Sequence, residues 1–237
     1  MVHAWRQAHR PWVEQRDAQD LEHLELLMRF WLYPDSNCID IGANQGSIMR
    51  QMVTIASEGR HLAFEPIPAL AARLRTEFPT VDVHEVALSD HSGTSEFVHV
   101  LDDAGYSGLR EQEYPREMRT ERIQVQVERL DDCLPEGYRP DFIKIDVEGA
   151  ERDVFAGALA TISRCRPHIV FEHGRAAGNY GARPEEIHDL LAGEAGLEIH
   201  DIDGNGPLSR QQMADIVAGG KIWNFVAGPS PRSRVAP

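Results

Sequence analysis

The amino-acid sequence predicts an α/β fold, a mostly parallel, doubly wound sheet with helices on both faces. Three observations carry this. Short apolar runs alternate with helical patterns along most of the chain, the rhythm of crossover units in a parallel sheet. The first run passes into its helix through glycines in "NCIDIGANQGSIMRQMV", Asn37 to Val53. Several runs end in an acid, as in "CIDIG", "LAFEP" and "HIVFEH", at the edge where open α/β sheets bind ligands.

Taken in order, residues 14–33, "EQRDAQDLEHLELLMRFWLY", place Leu21, Leu24, Leu26, Leu27 and Phe30 at helical spacing. An amphipathic helix is expected there, ended by Pro34. It makes residues 1–36 an N-terminal extension to a domain spanning 37–228. The strand "NCIDIG" leads to a helix from Gly46 to Ser57, and "HLAFEP" to a helix opened by Pro68. "VDVHEVAL" reads as the third strand. "DFIKIDVEG", a helix from Glu151 to Thr161, "HIVFEHG" and the helix "PEEIHDLLAGEAG" continue the series.

Two places break the rhythm. Residues 90–140 form an insertion whose alternating segments, "TSEFVHV" and "IQVQVERL", predict a hairpin or edge strand. The polar stretch between them, residues 102–122, is expected to be a lid, with Tyr106 and Tyr114 as candidate acceptor contacts. Near the end, "LEIHDID", a Gly-Asn-Gly turn, a short helix and "KIWNFVAG" predict a last strand antiparallel to the rest. The tail, 229–237, has the composition of a disordered segment.

Composition narrows the class of function. A chain of 237 residues suits one α/β domain with its own core. With 38 acids against 24 lysines and arginines, the net charge of −14 disfavours nucleic acid and anionic membrane as partners. Cys38, Cys133 and Cys165 show no metal or disulfide spacing, which points to a reducing compartment. No apolar signal core or membrane-length run is visible, so a soluble, cytoplasmic protein is expected.

The candidate site residues lie at the strand ends. Asp40, Gly42, Asn44 and Gly46 form an acid-bounded glycine turn before a helix N-terminus, a cofactor loop. Asn44 stands where a dinucleotide fingerprint has its second glycine, which argues against NAD or FAD. Glu65 is placed to accept both ribose hydroxyls of an adenosine cofactor. Ala87, Leu88 and Ser89 offer a small apolar wall and backbone groups for an adenine ring. "FIKIDVEGAE" alternates charge within a strand that ought to be buried, so Asp146 is expected at the ligand edge. Asp146, Glu172 and His173 then form a candidate catalytic set. They read either as a general base with an orienting acid or as ligands for magnesium or manganese.

The motifs "IDIGANQG", "FEP", "ALSD" and "IKIDVEGAE", together and in this order, resemble the FkbM-type family of S-adenosylmethionine-dependent methyltransferases. The resemblance runs from Asn37 to Gly174, with "KIWNFVAG" as the usual final strand. It implies a Rossmann-like class I methyltransferase fold, whose seven-stranded sheet has its last strand antiparallel. It also implies S-adenosyl-L-methionine as cofactor, lined by Asp40, Gly42, Asn44, Gly46 and Glu65. The expected reaction is O-methylation of a hydroxyl on a small molecule, a sugar or natural product. The competing readings are a nicotinamide-dependent oxidoreductase and a non-catalytic binding module on the same fold.

Overall fold

The computed structural model describes residues 11–112, 114 and 116–230. Residues 1–10 of the expected extension and 231–237 of the expected tail lie outside them. Helix α1 (Pro11–Trp31) buries Leu24 and Met28, and Leu32 just beyond its end continues the row. These residues recur every fourth position and make one face of the helix. Leu21, Leu26 and Phe30, expected on that face, lie off the row and are exposed. Among the described residues, no helix is long and apolar enough to cross a membrane.

Strand β1 (Cys38–Ile41) and helix α2 (Ser47–Ile55) are followed by β2 (His61–Phe64) and α3 (Pro68–Glu77). The predicted third strand divides in two. β3 (Asp82–His84) joins the main sheet, whereas β4 (Ala87–Leu88) joins a second one. The switch falls at Glu85 and Val86, where the Arg75 guanidinium donates to the Val83 carbonyl and the Glu85 carboxylate. A side chain there takes the place of a neighbouring strand.

The insertion supplies β5 (Gly93–Val100) and β6 (Thr120–Glu128), which pair antiparallel over their whole length as the expected hairpin. With β4 they form a three-stranded sheet in the order β4-β6-β5. A short α4 (Leu130–Cys133) leads to β7 (Phe142–Ile145), α5 (Glu151–Cys165) and β8 (His168–Glu172). The chain ends with α6 (Pro184–His188), β9 (Glu198–Asp201), α7 (Arg210–Gly219) and β10 (Asn224–Gly228).

The main sheet has seven strands in the order β3-β2-β1-β7-β8-β10-β9. All neighbours from β3 to β8 are parallel, and β10 runs antiparallel to both β8 and β9. Strand order reverses between β1 and β7, so the ligand crevice belongs at their carboxyl ends. Alternation along each strand divides the core. Ile39, Ile143 and Phe171 pack with α5 on one face; Cys38, Phe142 and Val170 pack with α1, α2 and α3 on the other.

Candidate active site

A cavity of about 180 Å³ opens at the crevice. Its walls come from the β1 turn (Asp40, Gly42, Asn44), the end of β2 (Glu65), β4 (Ala87, Leu88) and the end of β7 (Lys144, Asp146). The insertion closes it from above with Phe97, Ala104, Gly105 and Leu109. Six of the eight residues expected at a cofactor, namely Asp40, Gly42, Asn44, Glu65, Ala87 and Leu88, therefore border one space.

The turn after β1 has a clear physical origin. Gly42 has φ +77°, and a Cβ there would lie 1.9 Å from the carbonyl oxygen of Asp146. Only glycine lets the two strand ends approach so closely. Asn44 has φ 48°, a left-handed conformation that asparagine tolerates better than other side chains. The position that a dinucleotide fingerprint gives to glycine is thus left-handed here as well. Glu65, 3% exposed, accepts hydrogen bonds from the amides of Asn44 (2.8 Å) and Ile67 (2.9 Å), fixing the turn to the end of β2. Burial pushes its carboxyl up, partly offset by those amides.

Asp40 is almost fully buried, and its Oδ2 has no hydrogen-bond partner. Burial pushes this carboxyl up to about 7, while Lys144, its register partner on β7, opposes the shift. Lys144 is buried on the same face and lies 3.2 Å from Asp146. Burial alone would lower its pKa, but Asp146, Glu172 and Asp40 outweigh that and hold it above the ordinary lysine value. The charge alternation in "FIKID" is therefore an ion-pair arrangement built around a single buried cation.

Glu148, which the sequence reading left out of the catalytic set, occupies the most unusual position. It has φ 55°, a backbone region that costs a residue such as glutamate about 1–3 kcal/mol. The turn is held from two sides. Glu151 Oε1 accepts from the amides of Gly149 (2.9 Å) and Val147 (3.4 Å), and Gly149 lies so close to Ala176 that a Cβ would meet its carbonyl at 2.5 Å. Gln112 of the insertion donates to Glu148 Oε2 at 3.1 Å. Burial first, and then the charge of Asp146, pushes the Glu148 carboxyl up to about 8.

Glu148 also borders a second cavity of about 510 Å³, sharing that boundary with Gly105. This space lies among the start of α1 (Trp12, Asp17), the insertion (Asp103, Tyr106, Gln112), Glu172 and the segment before β10 (Trp223). Tyr106 is thus a wall of it; Tyr114 packs edge-on against Tyr106, with ring centroids 6.4 Å apart. The segment expected to be a lid is tied down at several points. Gly108 bridges to Val98, and the Tyr180 hydroxyl accepts from the Arg110 amide at 3.0 Å.

Three expected site residues stand elsewhere. Gly46 caps α2 with φ +77° and packs against Leu74 and Phe78, outside the cavity lining. Ser89 is buried at the end of β4, where its carbonyl would lie 2.0 Å from a Cβ on Gly157, so it serves the packing of α5. His173 borders neither cavity. It is 1% exposed and faces the buried Glu151, with Nδ1 to Oε2 at 3.9 Å. Glu172 borders the second cavity on the opposite face, and burial plus the charges of Asp146 and Glu148 raise its carboxyl well above the usual range. Successive residues of a strand point to opposite faces, so Glu172 and His173 cannot both reach one crevice. Asp146, Glu172 and His173 do not bring their ligand atoms within 4.8 Å of one another; among the described residues, only Asp20, His23 and Asp203 do. Arg16 already bridges the two aspartates of that trio.

Comparison with known proteins agrees with this architecture. Over 150 residues the chain is 35% identical to the 2-O-methyltransferase NoeI of Sinorhizobium fredii, a match covering 56% of this chain and 61% of that protein. It is 28% identical over 145 residues to Methyltransferase 1 of Beauveria bassiana, covering 52% and 58% of the two chains. The chain thus spans about three-fifths of these relatives. Among solved structures, the methyltransferase FkbM of Methylobacillus flagellatus shares the fold, with a TM-score of 0.52 at 15% identity over 83% of this chain and 44% of that one. The family model of the methyltransferase FkbM domain matches residues 40–199, more than half the chain, and the protein belongs to that family.

Proposed function

We propose that the chain is an S-adenosylmethionine-dependent methyltransferase that methylates a hydroxyl of a small molecule, a sugar or natural product, with Glu148 as the base. The observation that carries this reading is the Glu148 carboxylate, held in a left-handed turn where the two cavities meet. The first cavity suits the cofactor. The unpartnered, buried Asp40 Oδ2 is an acceptor for its ammonium, and Glu65 presents a carboxylate to the ribose hydroxyls. Ala87, Leu88 and Phe97 give an apolar slot for the adenine. When bound, the cofactor supplies a methyl group already activated by its sulfonium, so the protein needs no covalent intermediate.

The chain's own work is alignment, exclusion of water and proton removal. Aligning two reactants can contribute roughly 7–11 kcal/mol. A base with a pKa near the working pH takes a proton most effectively, and a carboxyl pushed up to about 8 meets that condition. Asp146 and Glu172 set the field around Glu148, and His173, through Glu151, belongs to the support of its turn. The Asp146, Glu172 and His173 set does not fit a divalent metal, because its ligand atoms do not converge. The similarity to NoeI, a 2-O-methyltransferase, supports a hydroxyl acceptor. The net charge of −14 supports a small molecule over nucleic acid, and three free cysteines support a reducing, cytoplasmic setting.

Calorimetry with S-adenosylhomocysteine and NADH tests the cofactor, with saturable binding expected for the first alone. Transfer of a labelled methyl group to a panel of hydroxyl compounds, with and without prior chelation, tests the chemistry. Turnover abolished by chelation would replace Glu148 with a metal-centred mechanism.

A further inference from the structure

The acceptor cavity has a chemistry of its own. Four carboxylates border it, from Asp17, Asp103, Glu148 and Glu172, and no lysine, arginine or histidine is among the lining residues whose side chains are described. The cofactor accounts for only part of this. Glu148 is shared between the cavities, whereas Asp17, Asp103 and Glu172 border the second one alone. Lys144, the neighbouring cation, borders the other cavity and is engaged by Asp146 at 3.2 Å. Lys144 attracts the Glu172 carboxylate, but burial and the charges of Asp146, Glu148 and Glu151 outweigh that attraction. Carboxylates so placed are stabilised by a cation brought in from outside and are destabilised by an anion.

The rest of the wall is aromatic. Trp12 and Trp223 meet edge to face, with centroids 6.0 Å apart at 61°, and Tyr106 stands on the insertion side. Trp223 favours the charged form of the rim acid Asp17, against the effect of its burial. Indole faces together with carboxylates make a favourable environment for ammonium and guanidinium groups.

We propose that this cavity selects an acceptor bearing a positive charge, an ammonium or guanidinium group carried by the same small molecule as the hydroxyl. This rests on the methyltransferase reading above for the identity of the acceptor cavity. The charged group sits between Glu172 and the tryptophans, which leaves Glu148 free to face the hydroxyl. Phosphorylated or carboxylated acceptors are excluded by the same acids.

The test uses the full chain saturated with S-adenosylhomocysteine and follows tryptophan fluorescence, checked by calorimetry. Two matched series are titrated: glucosamine, glucose and glucuronate, then Nα-acetyl-argininamide and its neutral counterpart Nα-acetyl-citrullinamide. In each series the cation should bind about tenfold or more tightly than its neutral counterpart, and glucuronate should not bind. Glu172→Gln should reduce that preference at least threefold or so without changing affinity for S-adenosylhomocysteine, and Asp17→Asn at the rim should reduce it less. Equal binding of neutral and cationic members, no saturable binding by either cation, or an unchanged preference in both variants overturns the proposal. Failure of S-adenosylhomocysteine to bind overturns the methyltransferase reading instead, so the two failures are distinct.

Discussion

The two cavities meet at Glu148 and are built in different ways. The first is assembled mostly from strand ends of one parallel sheet, with Asp40, Glu65 and Lys144 fixed by register and by backbone amides. The second is assembled from elements remote in sequence: α1, the insertion, Glu172 and the segment before β10. A site made by a sheet edge inherits the geometry of the fold. A site made by appended pieces is free to change its chemistry while the fold stays the same.

The sharpest way to break this division is at the shared residue. Glu148→Gln should lower methyl transfer by about 10²–10⁴-fold and leave S-adenosylhomocysteine affinity within about twofold, if the residue acts on the acceptor proton. Wild-type transfer should rise with pH through about 8 as the carboxyl ionises. The linkage to stability has the opposite sign. The folded pKa lies above the unfolded value of 4.5, so the folded state holds the extra proton between the two, and stability falls as pH rises through that window. Denaturant midpoints between pH 4.5 and 8 should fall less in Glu148→Gln than in wild type. An equal fall in both proteins would remove the assignment of the shifted pKa to this residue.

The next effect belongs to the sheet alone. Lys144→Met leaves Asp40, Asp146 and Glu172 without their buried cation and should cost about 3–5 kcal/mol of stability, read from urea unfolding. A loss below about 1 kcal/mol would mean that those acids are already neutral. The smallest effect separates the cavities most cleanly. Glu65→Ala should weaken S-adenosylhomocysteine by about 1.5–3 kcal/mol while leaving binding of a saturating acceptor unaltered. Unchanged cofactor affinity in calorimetry would take Glu65 out of the cofactor site.

What was legible in the sequence follows the same boundary. "IDIGANQG" and "LAFEP" announce strand, turn and acid within a few residues, so most of the first cavity's lining could be drawn from local spacing. Gly46 and Ser89 satisfied the same spacing but serve packing, because spacing does not tell a lining residue from one just behind it. "VDVHEVAL" carries no glycine or proline, so nothing local marks the point at which the chain passes between sheets. Glu172 and His173 adjoin in sequence but face opposite ways, so their adjacency does not make one site. Glu148 was hidden for another reason. Its importance lies in a left-handed backbone held by Glu151, Gly149 and Gln112, contacts that sequence order does not reveal. The second cavity was illegible because its walls are contributed by segments as far apart as Trp12 and Trp223.

That separation bears on how the molecule comes into being. Asn224 donates to Asp20 across 204 positions of the chain, and Arg16 reaches Asp203 across 187. Every residue of the first cavity has been synthesised by Ala150, whereas the second requires Trp12 and Trp223 together. Contacts closing loops of that size belong to the slow class, because ordering the chain between them must come first. On the ribosome the lining of the first cavity is therefore complete in sequence some seventy residues before that of the second. The second cavity needs both Trp12 and Trp223, and a fragment lacking either segment cannot line it.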